Sequence, residues 1–502
     1  MMEQKKVIII GAGIAGLSAG CYLAMNGYKV KIFEMHDKPG GLCTAWTRNG
    51  YTFDGSCHWV VGSNPKSSFN ILWRELGIAG AFRFVEHEEF ARYEGPGGKT
   101  LILYADLDKL EKHMLELAPE DEEVIKEFIS GIRILAKMEI PVAMEKLGFF
   151  GTLKVLFSML PFFGVVTKYG KISVREFSER FKNPFMREVF HLMFDNMPDC
   201  PVTTLMMPIA WMSKKDAGHP VGGSLKFARA IEKRFISLGG EIYYKKRAKE
   251  ILVENNKAAG VKFEDDSAER ADMVISAADG RTTIFDMLGG KYADDKVRGY
   301  YKDLTIWPPV MQVSLGVATD FAGEPHSVTW RLEKPVSIGG KDTEWMNTIN
   351  YFIDPDMAPP GKTCLVSLLD CDYEFWKELS RTPARYEEEK KRAVDTVAEA
   401  LEKRYPGIKG KIEAADVATP LTFERYTGNQ RGAIQGWTVS TKQKGMMAIA
   451  GLPRTLPGLE NFYMIGQWVK PGGGLPTGAM HGRQIAQTIC KKDGRRFVAT
   501  TP

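Results

Sequence analysis

The sequence predicts an α/β protein organised around a buried parallel sheet, and three observations near its start carry that prediction. Val7 to Ile10 is an unbroken β-branched run, the pattern of a strand covered on both faces. Gly11-Ala12-Gly13-Ile14-Ala15-Gly16 follows at once and opens a helical stretch, Leu17 to about Met25. After the Asn26-Gly27 stop, Lys29 to Phe33 reads as a second strand that ends on an acid, Glu34.

Each part has a chemical reason. Gly11 permits the tight turn, Gly13 lets a pyrophosphate approach the backbone, and Gly16 lets helix pack on strand. Ile14 and Ala15 open the helix, whose free amides and partial positive charge suit a dianion. Glu34 accepts hydrogen bonds from ribose hydroxyls and repels a 2′-phosphate. The unit is a Rossmann-type dinucleotide-binding element.

A chain of 502 residues is expected to hold two to four structural units at roughly 150 residues each. Sixty-seven basic against 62 acidic residues leave +5, too small and too scattered for a nucleic-acid surface. Lys245-Lys246-Arg247 reads as a solvated face. Seven cysteines at irregular spacing, with no Cys-x-x-Cys pair, read as free thiols in a reducing compartment, hence the cytoplasm, and no metal-ligand spacing occurs. The opening MMEQKKVIIIGAG reaches glycine too soon for a signal peptide and reads as a buried strand.

The dinucleotide is decided by residues 39 to 59, PGGLCTAWTRNGYTFDGSCHW, an ordered loop with neither helical nor strand period. The PGG, then Asn49-Gly50-Tyr51, then Phe53-Asp54-Gly55 and His58, resemble the second flavin segment of the phytoene desaturase and amine oxidase superfamily. Pro220 to Ser224, a helix from Leu225 to about Ser237, strand EIYY and KRAKEILVE resemble its returning βαβ piece. Asn461 to Gly466, then QWVKPGGGLPTG and a helix from about Ala479 to Cys490, resemble its terminal flavin segment.

That resemblance implies FAD, held by Gly40, Gly41, Leu42 and His58 in the second segment, by backbone near Ala248 against the adenine, and by Gly466, Gly474, Leu475 and Thr477 in the third. The last helix would then point its N-terminus at the pyrimidine edge of the ring, where reduced flavin carries negative charge. Many relatives have Arg where this chain has Leu42, which removes one charge partner. No second GxGxxG between strand and helix appears, which argues against a separate nicotinamide domain.

The flavin segments make the FAD-binding domain discontinuous, 1–80, 205–290 and 455–495, with a mixed α+β substrate domain at 81–204 and 291–454. Residues 106 to 195 read as mostly helical. VMQVSLGV, HSVTWRL and TCLVSLL read as strands, and Tyr386 to Lys403 as a charged surface helix. In LGFFGTLKVLFSMLPFFGVVTKYG, residues 147 to 170, the 13 uncharged residues between Lys154 and Lys168 fall short of the ~20 that span a bilayer. They form either a buried pair of helices or an interfacial element that dips Phe149, Phe150, Leu156, Phe157, Phe162 and Phe163 into lipid. Lys146, Lys154, Lys168 and Lys171 would then meet headgroups. The resemblance favours the second reading, a protein peripheral on the inner face of the membrane, because members with polyene substrates take them from membranes.

Five residues are candidates for catalysis. His58 and Trp59 would flank ring or substrate, or else fill the loop's core. Arg425 and Tyr426, in a stretch resembling one near the family's substrate cavity, would anchor a ligand, or Arg425 would pair with Glu424. Trp468 would wall the cavity. Little acid–base machinery is visible, which fits a cofactor that does the redox work on an apolar substrate.

The order Phe-Asp-Gly-x-x-His-aromatic is most similar to the carotenoid desaturase, prolycopene isomerase and retinol saturase branch, and implies desaturation, saturation or isomerisation of a polyene. The alternatives are an amine-oxidase-like or protoporphyrinogen-oxidase-like enzyme and a flavin-free prenyl-binding protein like a Rab GDP-dissociation inhibitor.

Overall fold

The computed structural model describes residues 4–139, 142, 150, 153, 157, 159–194, 196–442, 451–470, 472 and 474–502. Its central sheet has five strands, all parallel. They are β1 (Lys6–Ile10), β2 (Lys29–Phe33), β3 (Glu241–Tyr243), β4 (Met273–Ser276) and β5 (Phe462–Met464), in the spatial order β3-β2-β1-β4-β5. Ile9 lies opposite Ile32 on one side and Ile275 on the other. A strand so enclosed has no solvated face, which is why its sequence does not alternate.

Three helices cover the face nearest β1. Helix α1 (Ile14–Met25) is buried from Ile14 through Leu23 because α2 (Gly223–Ser237) and α3 (Gly474–Lys492) enclose the sides that the sheet leaves open. The approach is backbone-close. A Cβ on Gly482 would stand 2.5 Å from the Ala19 nitrogen, and one on Gly20 would stand 2.9 Å from the Phe235 ring. Across this layer runs a buried charge pair. Arg483 of α3 donates from Nε to Glu75 at 2.9 Å, and Tyr22 of α1 donates its hydroxyl to the same carboxylate at 3.0 Å. Arg483 also reaches the Val142 carbonyl at 3.2 Å.

Between β2 and β3, and between β4 and β5, the chain leaves this sheet. Those excursions build a second sheet of seven strands in the order Ile412–Ala418, Val310–Val317, Thr363–Asp370, Lys341–Asn350, Ser327–Ile338, Glu89–Glu94, Thr100–Tyr104. The strand-like stretches read from sequence are present, but Glu89–Glu94, Thr100–Tyr104, Lys341–Asn350 and Ile412–Ala418 join them unannounced. Helix Pro383–Arg404 lays Ala393, Val397 and Leu401 on this sheet and exposes its charged side.

Helices within residues 107–213 form a separate lobe around Phe128, Phe177, Phe181 and Phe190. Several large apolar side chains in this part of the chain face outward: Phe150 is 83% exposed, Phe157 61%, Leu160 58% and Phe163 46%. Phe162, expected beside Phe163 on that surface, instead packs into the lobe, because α-helical spacing turns adjacent residues to different sides. Phe149, Leu156, Lys146 and Lys154 lie outside the described residues. No described helix is long and apolar enough to cross a membrane.

Candidate functional site

Three loops meet at the C-terminal edge of β1, and the glycines explain how. The Gly11 amide donates to the Phe33 carbonyl at 2.8 Å, and Gly11 then turns the chain out of the strand at a left-handed φ of +97° that favours glycine. A Cβ on Gly16 would stand 2.0 Å from the Gly11 carbonyl oxygen, so only glycine brings helix to strand here. Gly13 is different. Its φ of −66° is open to any residue, and a Cβ there would meet nothing nearer than the Gly40 oxygen at 3.9 Å. The space beside Gly13, at the buried start of α1 where Ile14 and Ala15 lie, is therefore a cradle that a side chain would fill, and it fits a pyrophosphate.

The PGG loop is joined to that cradle directly. Gly13 and Gly40 form a parallel bridge, and the Gly40 amide donates to the Ala12 carbonyl at 2.9 Å. Gly41, at φ +60°, stands against Gly13, whose Cα would be 3.6 Å from a Cβ at Gly41. Leu42 turns away and packs with Val310, Ala418 and Phe423. The third loop closes the other side: a Cβ on Gly466 would lie 3.6 Å from the Ala15 methyl, and the Gly466 amide donates to His481 Nδ1 at 3.2 Å. Gly474, Leu475 and Thr477 form the first turn of α3, with Leu475 against the central core.

Glu34 is buried at the end of β2. Its carboxylate accepts from the Ala12 amide at 2.7 Å and the His36 amide at 2.8 Å. Burial raises its pKa, while these backbone donors oppose the rise by favouring the charged form. Ala248, also buried, packs in one cluster with Phe33.

Beside this corner a surface cavity of about 480 Å³ is lined by Met35, His36, Lys246, Phe263, Arg425 and Tyr426, among others. Arg425 stacks on the Tyr426 ring at 4.6 Å, and Tyr426 lies against His36 at 4.8 Å. The structure thus brings Arg425 and Tyr426 to the Glu34 end and leaves them exposed; it does not bring them to His58. Their short helix, Pro420–Thr427, turns Phe423 inward and these two outward. Glu424, the alternative partner for Arg425, accepts from the Tyr373 hydroxyl at 2.8 Å.

Trp468 also sits elsewhere than expected. It is 2% exposed, edge-on to Trp437 at 5.2 Å, with its indole N–H donated to Asn429 at 3.1 Å. That is the packing of a core residue and not of a cavity wall.

The Phe-Asp-Gly turn has a structural task that its sequence does not announce. Asp54 accepts from the Ser56 and Cys57 amides at 2.9 and 2.8 Å, and from the Ser224 amide and hydroxyl, both at 2.6 Å. A carboxylate at the N-terminus of α2 is stabilised by the helix's own field. The turn carries His58 and Trp59 outward from this anchor, Trp59 lying 6.2 Å from Trp211.

Around His58 the fold gathers four of the chain's eight histidines, His58, His87, His219 and His326, about Tyr351. His58 Nδ1 is 3.0 Å from the Tyr351 hydroxyl, and His87 Nε2 is 3.1 Å from the His58 carbonyl. His87 and His326 stack at 4.1 Å, and His219 Nε2 is 2.7 Å from Asp354. Burial pushes His58 and His87 down to about 4, and pushes His326 well below its usual range. Asp54 opposes the shift at His58 while His219 adds to it, and at His326 the neighbouring His87, His58 and His219 add to it.

These three rings are therefore neutral when folded. From about pH 6.5 down to 4 the unfolded chain takes up protons that the folded one refuses, so stability is fully present above pH 6.5. It falls with acidity by up to ~1.4 kcal/mol per pH unit for each ring. Thermal melts from pH 8 to 4 are expected to be flat above 7 and to fall steeply below 6, with His87→Gln less steep. An equal slope for that variant would exclude His87 as a contributor.

His481 is pushed down to about 3, first by burial and then by the nearby charges of Arg454 and Lys470. A neutral His481 accepts the Gly466 amide and holds the third loop, while the two cations give that end of the site a positive field.

A model for flavin containing amine oxidoreductases matches residues 14–490. The chain is 24% identical over 504 residues to the chloroplastic prolycopene isomerase of Daucus carota, covering 97% of this chain and 80% of that one. It is 26% identical over 511 residues to the neurosporene-forming phytoene desaturase of Rhodobacter capsulatus, covering 96% and 94%. Its fold is similar to that of an oxidoreductase from Methanosarcina mazei, at a TM-score of 0.59 and 18% identity over 96% of this chain and 100% of the other. A family match from the first turn of α1 to the last turns of α3 takes in the second and third loops of the cradle and the helix that the first loop opens, and with it the chain belongs to the flavin containing amine oxidoreductases, as an FAD-dependent oxidoreductase.

Proposed function

We propose that the protein acts on carbon–carbon bonds of a long apolar polyene or isoprenoid, by desaturation, saturation or redox-neutral isomerisation. The observation that carries this reading is similarity along nearly the whole chain to a prolycopene isomerase and a phytoene desaturase, loops and substrate lobes included. FAD, when bound, supplies transfer of hydride or electrons. The chain's own residues hold it through Gly11, Gly13, Gly16, Glu34, Gly40, Gly41 and the third loop, and the field of Arg454, Lys470 and the α3 N-terminus favours negative charge at the far end. His58 and Trp59 shape the substrate wall, where neutral imidazoles suit an apolar ligand.

The test is anaerobic incubation of the FAD-loaded protein with polyene-containing lipid extracts, before and after dithionite reduction, followed by product mass. A change of two hydrogens means desaturation or saturation, and an unchanged mass with an altered spectrum means isomerisation. No converted lipid under either condition would overturn the reading. His58→Ala and Trp59→Ala are expected to stay yellow and to turn over about tenfold or more slowly, the effect of ~1.4 kcal/mol or more on the barrier.

The exposed side chains Phe150, Phe157, Leu160 and Phe163, with the exposed Lys168 and Lys171 that follow them in sequence, form in this reading the surface that meets the membrane and admits substrate. Leu160→Ser with Phe163→Ser is expected to lower sedimentation with anionic liposomes while the flavin spectrum stays unchanged. Equal sedimentation would assign these side chains to another role.

A further inference from the structure

We propose that Tyr351 is a positioning residue that fixes His58 as a neutral hydrogen-bond donor, with Nδ1 occupied by the tyrosine and the Nε2 hydrogen presented to the ligand side. The inference rests on the reading of His58 as part of the substrate wall.

Tyr351 follows strand Lys341–Asn350 and is 1% exposed, packed among Tyr51, Phe53, Met357, Cys364 and Val366. Its hydroxyl lies 3.0 Å from His58 Nδ1, and among the described residues that nitrogen is its hydrogen-bond partner. A buried O–H must give its proton to an acceptor or lose the full cost of desolvation, so Tyr351 donates and His58 Nδ1 accepts. A neutral imidazole that accepts at Nδ1 carries its hydrogen on Nε2.

The surroundings hold this arrangement from several elements at once. His87 donates its Nε2 hydrogen to the His58 carbonyl, which fixes the backbone that bears the ring. His326 donates from Nδ1 to the Asn350 carbonyl at 2.7 Å, next in sequence to Tyr351, and its ring stands edge-on to Tyr351 at 6.1 Å. His219 stands edge-on to the same ring at 5.8 Å, itself held by Asp354. Tyr351 is thus clamped between imidazoles, and its hydroxyl has one direction in which to point.

The chemical consequence is specific. With Nδ1 engaged and Nε2 already protonated, His58 offers no free lone pair, so it does not serve as a general base. It offers one N–H to a neutral acceptor, a carbonyl oxygen or ring nitrogen, whether of the cofactor's ring or of the second ligand.

The experiment uses full-length protein labelled with nitrogen-15 at histidine, with His58→Gln to identify the signals of His58. The expected result in the wild type is an unprotonated Nδ1 and a protonated Nε2. Tyr351→Phe keeps the ring and removes only the hydroxyl; it is expected to retain FAD, to show mixed His58 tautomers, and to lose about tenfold in kcat with little change in KM. A protonated Nδ1 in the wild type, or the same single tautomer in Tyr351→Phe, overturns the proposal. A shift of the Nε2 signal on loading FAD places the acceptor on the cofactor, and a shift only when lipid extract is added places it on the ligand; no shift in either case overturns the donor role. If His58→Ala turns over at the wild-type rate, the reading of His58 as substrate wall fails, whatever the tautomer.

Discussion

Gly13→Val is expected to fold normally and to purify without colour. Its backbone needs no glycine, since φ is −66°, and its nearest neighbour to an added Cβ is 3.9 Å away. The two further methyl groups project into the cradle where the pyrophosphate would lie, and no protein atom need move to admit them. FAD affinity is expected to fall by ~100-fold or more, equivalent to about 2.7 kcal/mol or more. The measurement is the flavin-to-protein absorbance ratio beside a thermal melt. A folded variant with full flavin content would remove Gly13 from the site. Gly16→Ala is the useful contrast, because a Cβ 2.0 Å from the Gly11 oxygen forces the helix off the strand and should lose fold and flavin together. Colourless but folded, against unfolded, separates a glycine kept for its ligand from one kept for packing.

Arg483→Met should lower stability by about 3–5 kcal/mol, because it takes the Arg483 guanidinium away from the buried Glu75 carboxylate. Side-chain exposures of 1% and 2% at the pair mean that water cannot take the missing partner's place. The companion Glu75→Gln is expected to restore much of the loss when combined with Arg483→Met. It removes the buried charge and still accepts the Tyr22 hydroxyl. Chemical denaturation of the two single variants and the double variant checks this, and additive losses would show that the pair acts through something other than charge. Since Arg483 lies on α3, behind the third loop, the single variant is also expected to release FAD faster.

What was legible in the sequence was whatever is local. The run Val7 to Ile10, the glycine spacing and Glu34 report a strand, a turn and an acid because each is specified by neighbours within one turn of chain. Strands Glu89–Glu94 and Lys341–Asn350 were hidden because much of their length is polar or charged, and their partners fix them as strands. The placement of Arg425 and Tyr426 depends on which way one short helix rolls, and that is set by Phe423 finding its pocket with Val310 and Ala418. The histidine cluster was illegible for a different reason. Residues 58, 87, 219, 326 and 351 share no period or motif, and only the tertiary fold makes them neighbours.

The five-stranded sheet places Lys6 at its beginning and Met464 at its close, with β5 hydrogen-bonded to β4 and α3 lying across α1. A growing chain therefore holds β1 and α1 for a long time before the elements that cover them exist. At ~5–20 residues per second, roughly half a minute to a minute and a half separates the appearance of the first strand from that of the last. During that interval Leu17, Ala19, Tyr22 and Leu23, all at 0% exposure in the finished fold, lack their final cover. Contacts of such long sequence separation also form slowly once the chain is whole, since loop closure must precede any gain from pairing. The helical lobe at residues 107–213 is complete far earlier in synthesis and the strands of 310–418 are complete shortly before β5, so assembly should run from the inserted lobes inward, and the nucleotide cradle, though first in sequence, should be the last part of the molecule to set.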